Sequence, residues 1–242
     1  MVTTLYLIRH GETEGSGAKR YHGSIDVALS EKGARQIMAS SAFVMEHLAS
    51  ANSSRYLSYL REIHNSPDSK NESAGGNPGL SAVYCSNLSR SARSAEIIAN
   101  PHSLIPVEIK DLRERSFGIW EGMTFIEIKE KYPKEFGSWA DNPLKYSPVG
   151  GESTTEVGER VLQALDEILD KHKGENIALV AHGGVNRIIL CHIMGIPLEN
   201  IFRIEQDHAS VNIIEFWDKY PVVKLLNGLP SAVQGGIQGE ER

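Results

Sequence analysis

Leu5-Tyr6-Leu7-Ile8-Arg9-His10-Gly11-Glu12-Thr13 is an apolar run that stops at an arginine, a histidine and a glycine. An aliphatic stretch bounded by polar residues reads as a buried strand, and ligands of open α/β sheets gather just beyond the carboxyl ends of such strands. The design recurs late in the chain in Asn176-Ile177-Ala178-Leu179-Val180-Ala181-His182-Gly183-Gly184. Helical segments lie between the strands, which predicts an α/β fold with a mainly parallel sheet whose strand exits share one edge. Arg9, His10, Arg90 and His182 then meet at that edge, and Glu114 reaches it from an intervening loop.

From Gly11 to about Leu29 the sequence is a Gly-rich polar loop. Ser30 is the expected N-cap of a helix whose apolar positions Ala34, Ile37, Met38 and Ala42 carry it to about Leu48. Tyr56, Leu57, Tyr59, Leu60 and Ile63 read as a second, surface helix, and Asn65 to Gly79 is too polar to hold a fixed shape. Together these form an insertion at about 50–79. Leu80 to Cys85 is the second strand, and a helix opens near Arg90 with Ala92, Ala95, Ile97 and Ile98 on its apolar side. Val107 to Ile109 is a short third strand leading into a fixed loop at Asp111 to Gly122.

Helical periodicity returns at Phe125 to Lys129 and breaks at Pro133, after which Trp139 to Gly151 reads as loop. Ser153 or Thr154 caps a long helix through Leu169, and another helix runs from about Val185 to Met194. Ser210 to Phe216 and Val222 to Leu226 close the chain as a hairpin. One catalytic domain over residues 1–227 is expected, with a flexible tail at 228–242.

Composition narrows the function. With 242 residues, 40% hydrophobic and 23% charged, the chain falls among ordinary globular proteins and has room for one substantial core. No apolar run approaches a bilayer span, and no basic, cleavable leader precedes the first strand, so a cytoplasmic protein without membrane contact is expected. Cys85 and Cys191 have apolar neighbours and read as buried free thiols. A formal net charge of −6 without a Lys/Arg block argues against nucleic acid. Any anion site is local, with Arg9, Arg20 and Arg90 converging on a small anion. Two imidazoles, several guanidiniums and one carboxylate suit phosphoryl transfer better than metal binding.

Arg9-His10-Gly11-Glu12-Thr13 resembles the signature of the histidine phosphatase superfamily, which includes the cofactor-dependent phosphoglycerate mutases. The matches continue in family order through Arg20-Tyr21-His22-Gly23, Leu88-Ser89-Arg90, Leu112-Arg113-Glu114 and Val180-Ala181-His182-Gly183-Gly184. The resemblance implies a phosphoglycerate mutase-like three-layer α/β/α sandwich. It also implies a metal-independent, acid-type phosphatase that needs no cofactor. His10 would be the nucleophile, Arg9, Arg90 and His182 would hold the phosphoryl oxygens, and Glu114 would serve as proton donor. Arg20, Ser16, His22, Gly23 and Gly183 are the expected substrate-binding residues, with His208 as a further contact; Glu12 and Glu121 read as structural.

Ser16 stands where the mutases carry asparagine, and His22 where they carry threonine. The basic insertion that mutases use on their substrate is missing after Trp120-Glu121-Gly122. The chain is in this respect similar to the α-ribazole phosphatase and broad phosphatase branches. The expected function is hydrolysis of a small-molecule phosphate monoester, α-ribazole 5′-phosphate among them, through a phosphohistidine intermediate. The alternatives are a phosphoglycerate mutase-type phosphotransferase and a non-catalytic module that binds a phosphorylated ligand. Both a monomer and a homodimer fit the sequence.

Overall fold

The structure, a computed structural model, describes residues 2–18, 20–51 and 79–230. The expected surface helix at 56–63, nearly all of the polar loop at 65–79 and the tail beyond 230 lie outside the described residues. The strands are β1 (Thr3–Arg9), β2 (Ala82–Ser86), β3 (Val107–Ile109), β4 (Asn176–Ala181), β5 (Val211–Phe216) and β6 (Pro221–Gly228). They form one sheet in the order β3-β2-β4-β1-β5-β6. β1 to β4 run parallel, and only β5 is reversed, pairing antiparallel with both β1 and β6. The short turn between β5 and β6, closed by Trp217 N–H on the Tyr220 carbonyl, has no room for a parallel crossover.

Among the described residues six α-helices accompany the sheet: α1 (Glu31–Ala51), α2 (Ser89–Ala99), α3 (Phe125–Lys131), α4 (Pro133–Asp141), α5 (Thr154–Lys171) and α6 (Gly183–Met194). The unbroken apolar run of β1 follows from burial on both faces. Leu5 and Leu7 pack into a core with Val157, Val161 and Leu165 of α5 and Ile189 of α6. Tyr6 and Ile8 point the other way, into a core with Ile37 and Val44 of α1 and Ala95 and Ile98 of α2. Each such aliphatic side chain contributes roughly 1.5–3 kcal/mol by leaving water. The result is the expected three-layer α/β/α sandwich. Among the described residues no helix is long and apolar enough to cross a membrane.

Local signals explain most helix boundaries. Ser30 Oγ accepts from Gly33 N–H at 3.0 Å, and α1 continues past Leu48 to Ala51. Ser153 caps α5 in a reciprocal box with Glu156. Gly195, at φ 66°, ends α6. One expectation is corrected: the loop does not begin at Trp139, because a helix runs from Pro133 to Asp141. Pro133 ends α3 and starts α4, because proline's fixed φ and missing N–H suit the first turn of a helix as well as they stop an earlier one.

Register positions the functional edge. Arg9 lies opposite Ala181 in the β1–β4 ladder, so the residues that follow, His10 and His182, leave the sheet side by side. Ile8 lies opposite Val211, which brings the segment entering β5 against the same point. The loop after β1 also packs directly on the start of α1: a Cβ on Gly11 would stand 2.3 Å from the Gly33 carbonyl oxygen, so no larger residue fits.

Candidate active site

A cavity of about 610 Å³ opens at the carboxyl ends of the parallel strands. Arg9, His10, Ser16, Arg20, His22, Gly23, Arg90, Glu114, Gly183 and His208 all line it. His182 is fully buried behind this lining, its ring centroid 5.1 Å from that of His10.

His10 is almost completely buried. Its Nδ1 lies 2.7 Å from the Gly11 carbonyl oxygen, which accepts only from a protonated nitrogen, so the neutral ring carries its hydrogen there and keeps a lone pair on Nε2. Burial, then the neighbouring His182 ring and the guanidiniums of Arg9 and Arg90, hold the ring well below the usual histidine range. His182 is displaced the same way by burial, Arg90 and Arg9. Both nitrogens of His182 are buried without a protein partner, as is Nε of Arg9. Buried polar atoms without partners are costly, and their clustering beside the His10 ring marks a place for a ligand.

Arg9 and Arg90 are held largely by backbone carbonyls. Arg9 donates from Nη1 to the Gln206 carbonyl at 2.5 Å and from Nη2 to His208 Nε2 at 3.0 Å. Burial and the Arg9 charge push His208 down to about 3, so it is a neutral acceptor. Arg90 donates to the carbonyls of Gly23, at 2.7 Å, and Ile25, at 2.8 Å. It sits in the first turn of α2, whose N-cap, Leu88, supplies no side-chain bond, and neither does His182 at the start of α6. A carboxylate from another segment meets each helix start: Asp26 Oδ1 accepts from Ser89 N–H at 2.8 Å, and Glu114 accepts from Gly184 N–H at 3.0 Å.

Glu114 supplies the carboxylate. Its Oε2 accepts from Gly184 N–H at 3.0 Å and its Oε1 from Arg115 N–H at 2.9 Å. A Cβ on Gly184 would stand 2.6 Å from Oε1, so glycine is what allows the carboxylate this close to α6. Arg160 of α5 holds the loop from behind through the carbonyls of Asp111 and Arg113 and an ion pair with Glu152 at 2.8 Å.

Arg20, expected among the substrate-binding residues, stands apart from the others. Arg20 does not join the buried cations; it lies on the exposed rim, its guanidinium held by the Gly122 carbonyl at 2.6 Å and Glu127 at 2.9 Å. Residues 146–151 contribute no lining. Tyr146 instead stacks on Trp120, with centroids 5.9 Å apart, behind the wall. Glu121 ties the loops together, one oxygen accepting from Ser24 N–H and Oγ and from Phe117 N–H. The outer wall is apolar and aromatic, with Phe117, Phe125, Trp139 and Phe202. Arg187 also lines the cavity and was overlooked in the sequence; its spacing of four from Gly183 on a helix face was the available signal. No group of three or more His, Cys, Asp or Glu side chains among the described residues has a metal-binding arrangement.

Comparison with known proteins agrees with this geometry. The family model described as the histidine phosphatase superfamily (branch 1) matches residues 5–61 and 76–228. Phosphoserine phosphatase 1 of Hydrogenobacter thermophilus is 28% identical over 92% of this chain and 91% of its own. The metal-independent phosphoserine phosphatase of Arabidopsis thaliana is 32% identical over 90% of this chain and 78% of its own. Among solved structures, Bacillus stearothermophilus YhfR superposes with a TM-score of 0.73 at 29% identity, covering 96% of this chain and 99% of that one. The chain therefore belongs to the histidine phosphatase superfamily, branch 1.

Proposed function

We propose that the protein hydrolyses small phosphate monoesters through a phosphohistidine at His10. The observation that carries this reading is the Nδ1–H bond from His10 to the Gly11 carbonyl, which leaves Nε2 unprotonated beside the unpartnered nitrogens of Arg9 and His182. Nε2 attacks phosphorus as the ester P–O bond breaks. The developing charge on the phosphoryl oxygens is met by Arg9, Arg90 and His182, so positioning and electrostatics supply the catalysis. Glu114 gives a proton to the departing oxygen. A water then attacks phosphorus, giving its proton to Glu114 as the P–N bond breaks and inorganic phosphate leaves.

The substrate class is a small phosphorylated metabolite. The two relatives named as phosphoserine phosphatases favour a phosphorylated hydroxy amino acid over the α-ribazole 5′-phosphate suggested by sequence pattern. The test is release of p-nitrophenol from p-nitrophenyl phosphate beside a His10→Ala control, with EDTA present. Wild type turns over in EDTA and the variant falls by ~10⁴-fold or more. Equal, background-level release from both proteins refutes the reading. Rates over phosphoserine, α-ribazole 5′-phosphate, 3-phosphoglycerate and sugar phosphates then rank the substrates.

A further inference from the structure

Arg9 is gripped from a single loop. Besides the bonds to Gln206 and His208, its backbone N–H donates to the Ser210 carbonyl at 3.1 Å, and its carbonyl accepts from Ala209 N–H at 3.1 Å. Only Nε is left without a protein partner. Where that N–H points is therefore decided by residues 206–210.

A cluster of amides sets the shape of this loop. Gln206 and Asn212 have no exposed surface and exchange both amide hydrogen bonds: Gln206 Nε2 donates to Asn212 Oδ1 at 2.9 Å, and Asn212 Nδ2 donates to Gln206 Oε1 at 2.8 Å. Asn212 Nδ2 also donates to the Leu7 carbonyl in β1 at 3.0 Å, and Oδ1 accepts from Asn227 N–H in β6 at 2.8 Å. Asn227 in turn accepts from Asp207 N–H at 2.8 Å and donates to the Asp207 carboxylate at 2.7 Å. Arg187 Nε anchors the chain ahead of the loop, at the Ile204 carbonyl. Within the loop Ala209 holds φ at 60°, a left-handed conformation that a residue with a Cβ keeps only when its surroundings enforce it.

Asn212 is the one polar side chain in the buried stretch Val211–Ile214, and it shares a face of β5 with Ile214. An apolar pair would avoid burying two amides but would take away the side-chain partners of the Leu7 carbonyl and the Asn227 N–H. A fully satisfied amide pair is directional and admits one arrangement. We infer that Gln206 and Asn212 are positioning residues for phosphoryl binding. Their amide pair locks the loop that aims the Arg9 guanidinium, and the strands on either side of β5 lock the pair. This rests on Arg9 being a phosphate ligand.

The test uses Gln206→Met and the double variant Gln206→Met/Asn212→Leu in the full chain. Four quantities are read: melting temperature, orthovanadate affinity by calorimetry, kcat and KM for p-nitrophenyl phosphate, and the ¹H–¹⁵N resonance of Arg9 Nε. The expected result is a protein that still folds but melts below the wild type, with vanadate affinity and kcat at a temperature well under that melting point each down by about tenfold or more and the Arg9 resonance broadened. Folded variants with wild-type vanadate affinity and a sharp Arg9 resonance overturn the inference. So does failure of both to fold, which makes the pair part of the framework. Vanadate binding needs no turnover, so the two readings separate. A wild type that binds vanadate but hydrolyses nothing refutes only the proposed function; one that binds no vanadate refutes both.

Discussion

The rings of His10 and His182 meet in a T-shaped arrangement, centroids 5.1 Å apart and planes at 64°, at the ends of two neighbouring parallel strands. Neither is exposed enough to hold a charge cheaply, and each stands near Arg9 and Arg90. Two bases are thereby kept neutral in a positive field, the state in which one can attack an anion and the other can donate to it.

That arrangement has a signed consequence for stability. Both folded-state values lie below the ordinary histidine value of 6.5, so as pH falls through that value the unfolded chain takes up protons that the folded chain refuses. Stability is fully present above pH 6.5 and declines below it, by roughly 1.4 kcal/mol per pH unit for each histidine. Urea midpoints measured downward from pH 7 are expected to fall, and less steeply in His10→Gln. A wild-type midpoint that stays level over this range contradicts the assignment.

In the proposed reaction Glu114 donates the proton, so the effect of its loss is expected to depend on the leaving group. Glu114→Gln is expected to lower kcat by about 10²–10⁴-fold for an alkyl phosphate such as phosphoserine. The loss is far smaller for p-nitrophenyl phosphate, whose leaving group departs without protonation. Paired rates on the two substrates check this, and equal losses on both argue for a role in binding alone.

Gly184→Ala separates activity from stability. Alanine favours helix over glycine by roughly 0.5–1 kcal/mol, yet its Cβ would lie 2.6 Å from a Glu114 oxygen and drive the carboxylate away. The variant is expected to melt at or near the wild-type temperature while losing about tenfold or more in kcat. Calorimetry and steady-state kinetics on one preparation decide it.

The N-terminus of α5 offers a test of the framework. Ser153→Ala removes the buried cap that accepts from Glu156 N–H and is expected to cost about 1 kcal/mol. Thermal unfolding should show a drop of roughly 2–4 °C. Ser153→Thr, which keeps both the acceptor oxygen and the hydroxyl that donates to the Glu156 carboxylate, should recover most of it.

Much of the fold and site could be read in the chain because the signals are local. The apolar runs before His10 and His182, the Ser153-x-x-Glu156 cap and the stripe Val157, Val161, Leu165, Ile168 each lie within one element. The helix that begins at Pro133 was missed because proline ends one helix and begins the next with the same chemistry. The rim position of Arg20 was not legible because its partner, Glu127 of α3, lies more than a hundred residues away, and Arg187 was missed because it stands outside the histidine-glycine pattern. The packing of Trp120 on Tyr146, which turns residues 146–151 away from the cavity, also joins distant segments.

By itself the sequence determined the two strand–histidine–glycine units, the periodicities that sandwich them between helices, and the set of side chains suited to a phosphoryl group. Those follow from backbone geometry and burial over short stretches. Only the tertiary structure decided the state of that set: which nitrogen of His10 carries the proton, how far burial lowers both histidines, and which N–H of Arg9 is left free. Protonation and aim depend on fields and hydrogen bonds from segments that meet only after folding, and here the loop before β5 closes over an arginine nearly two hundred residues earlier.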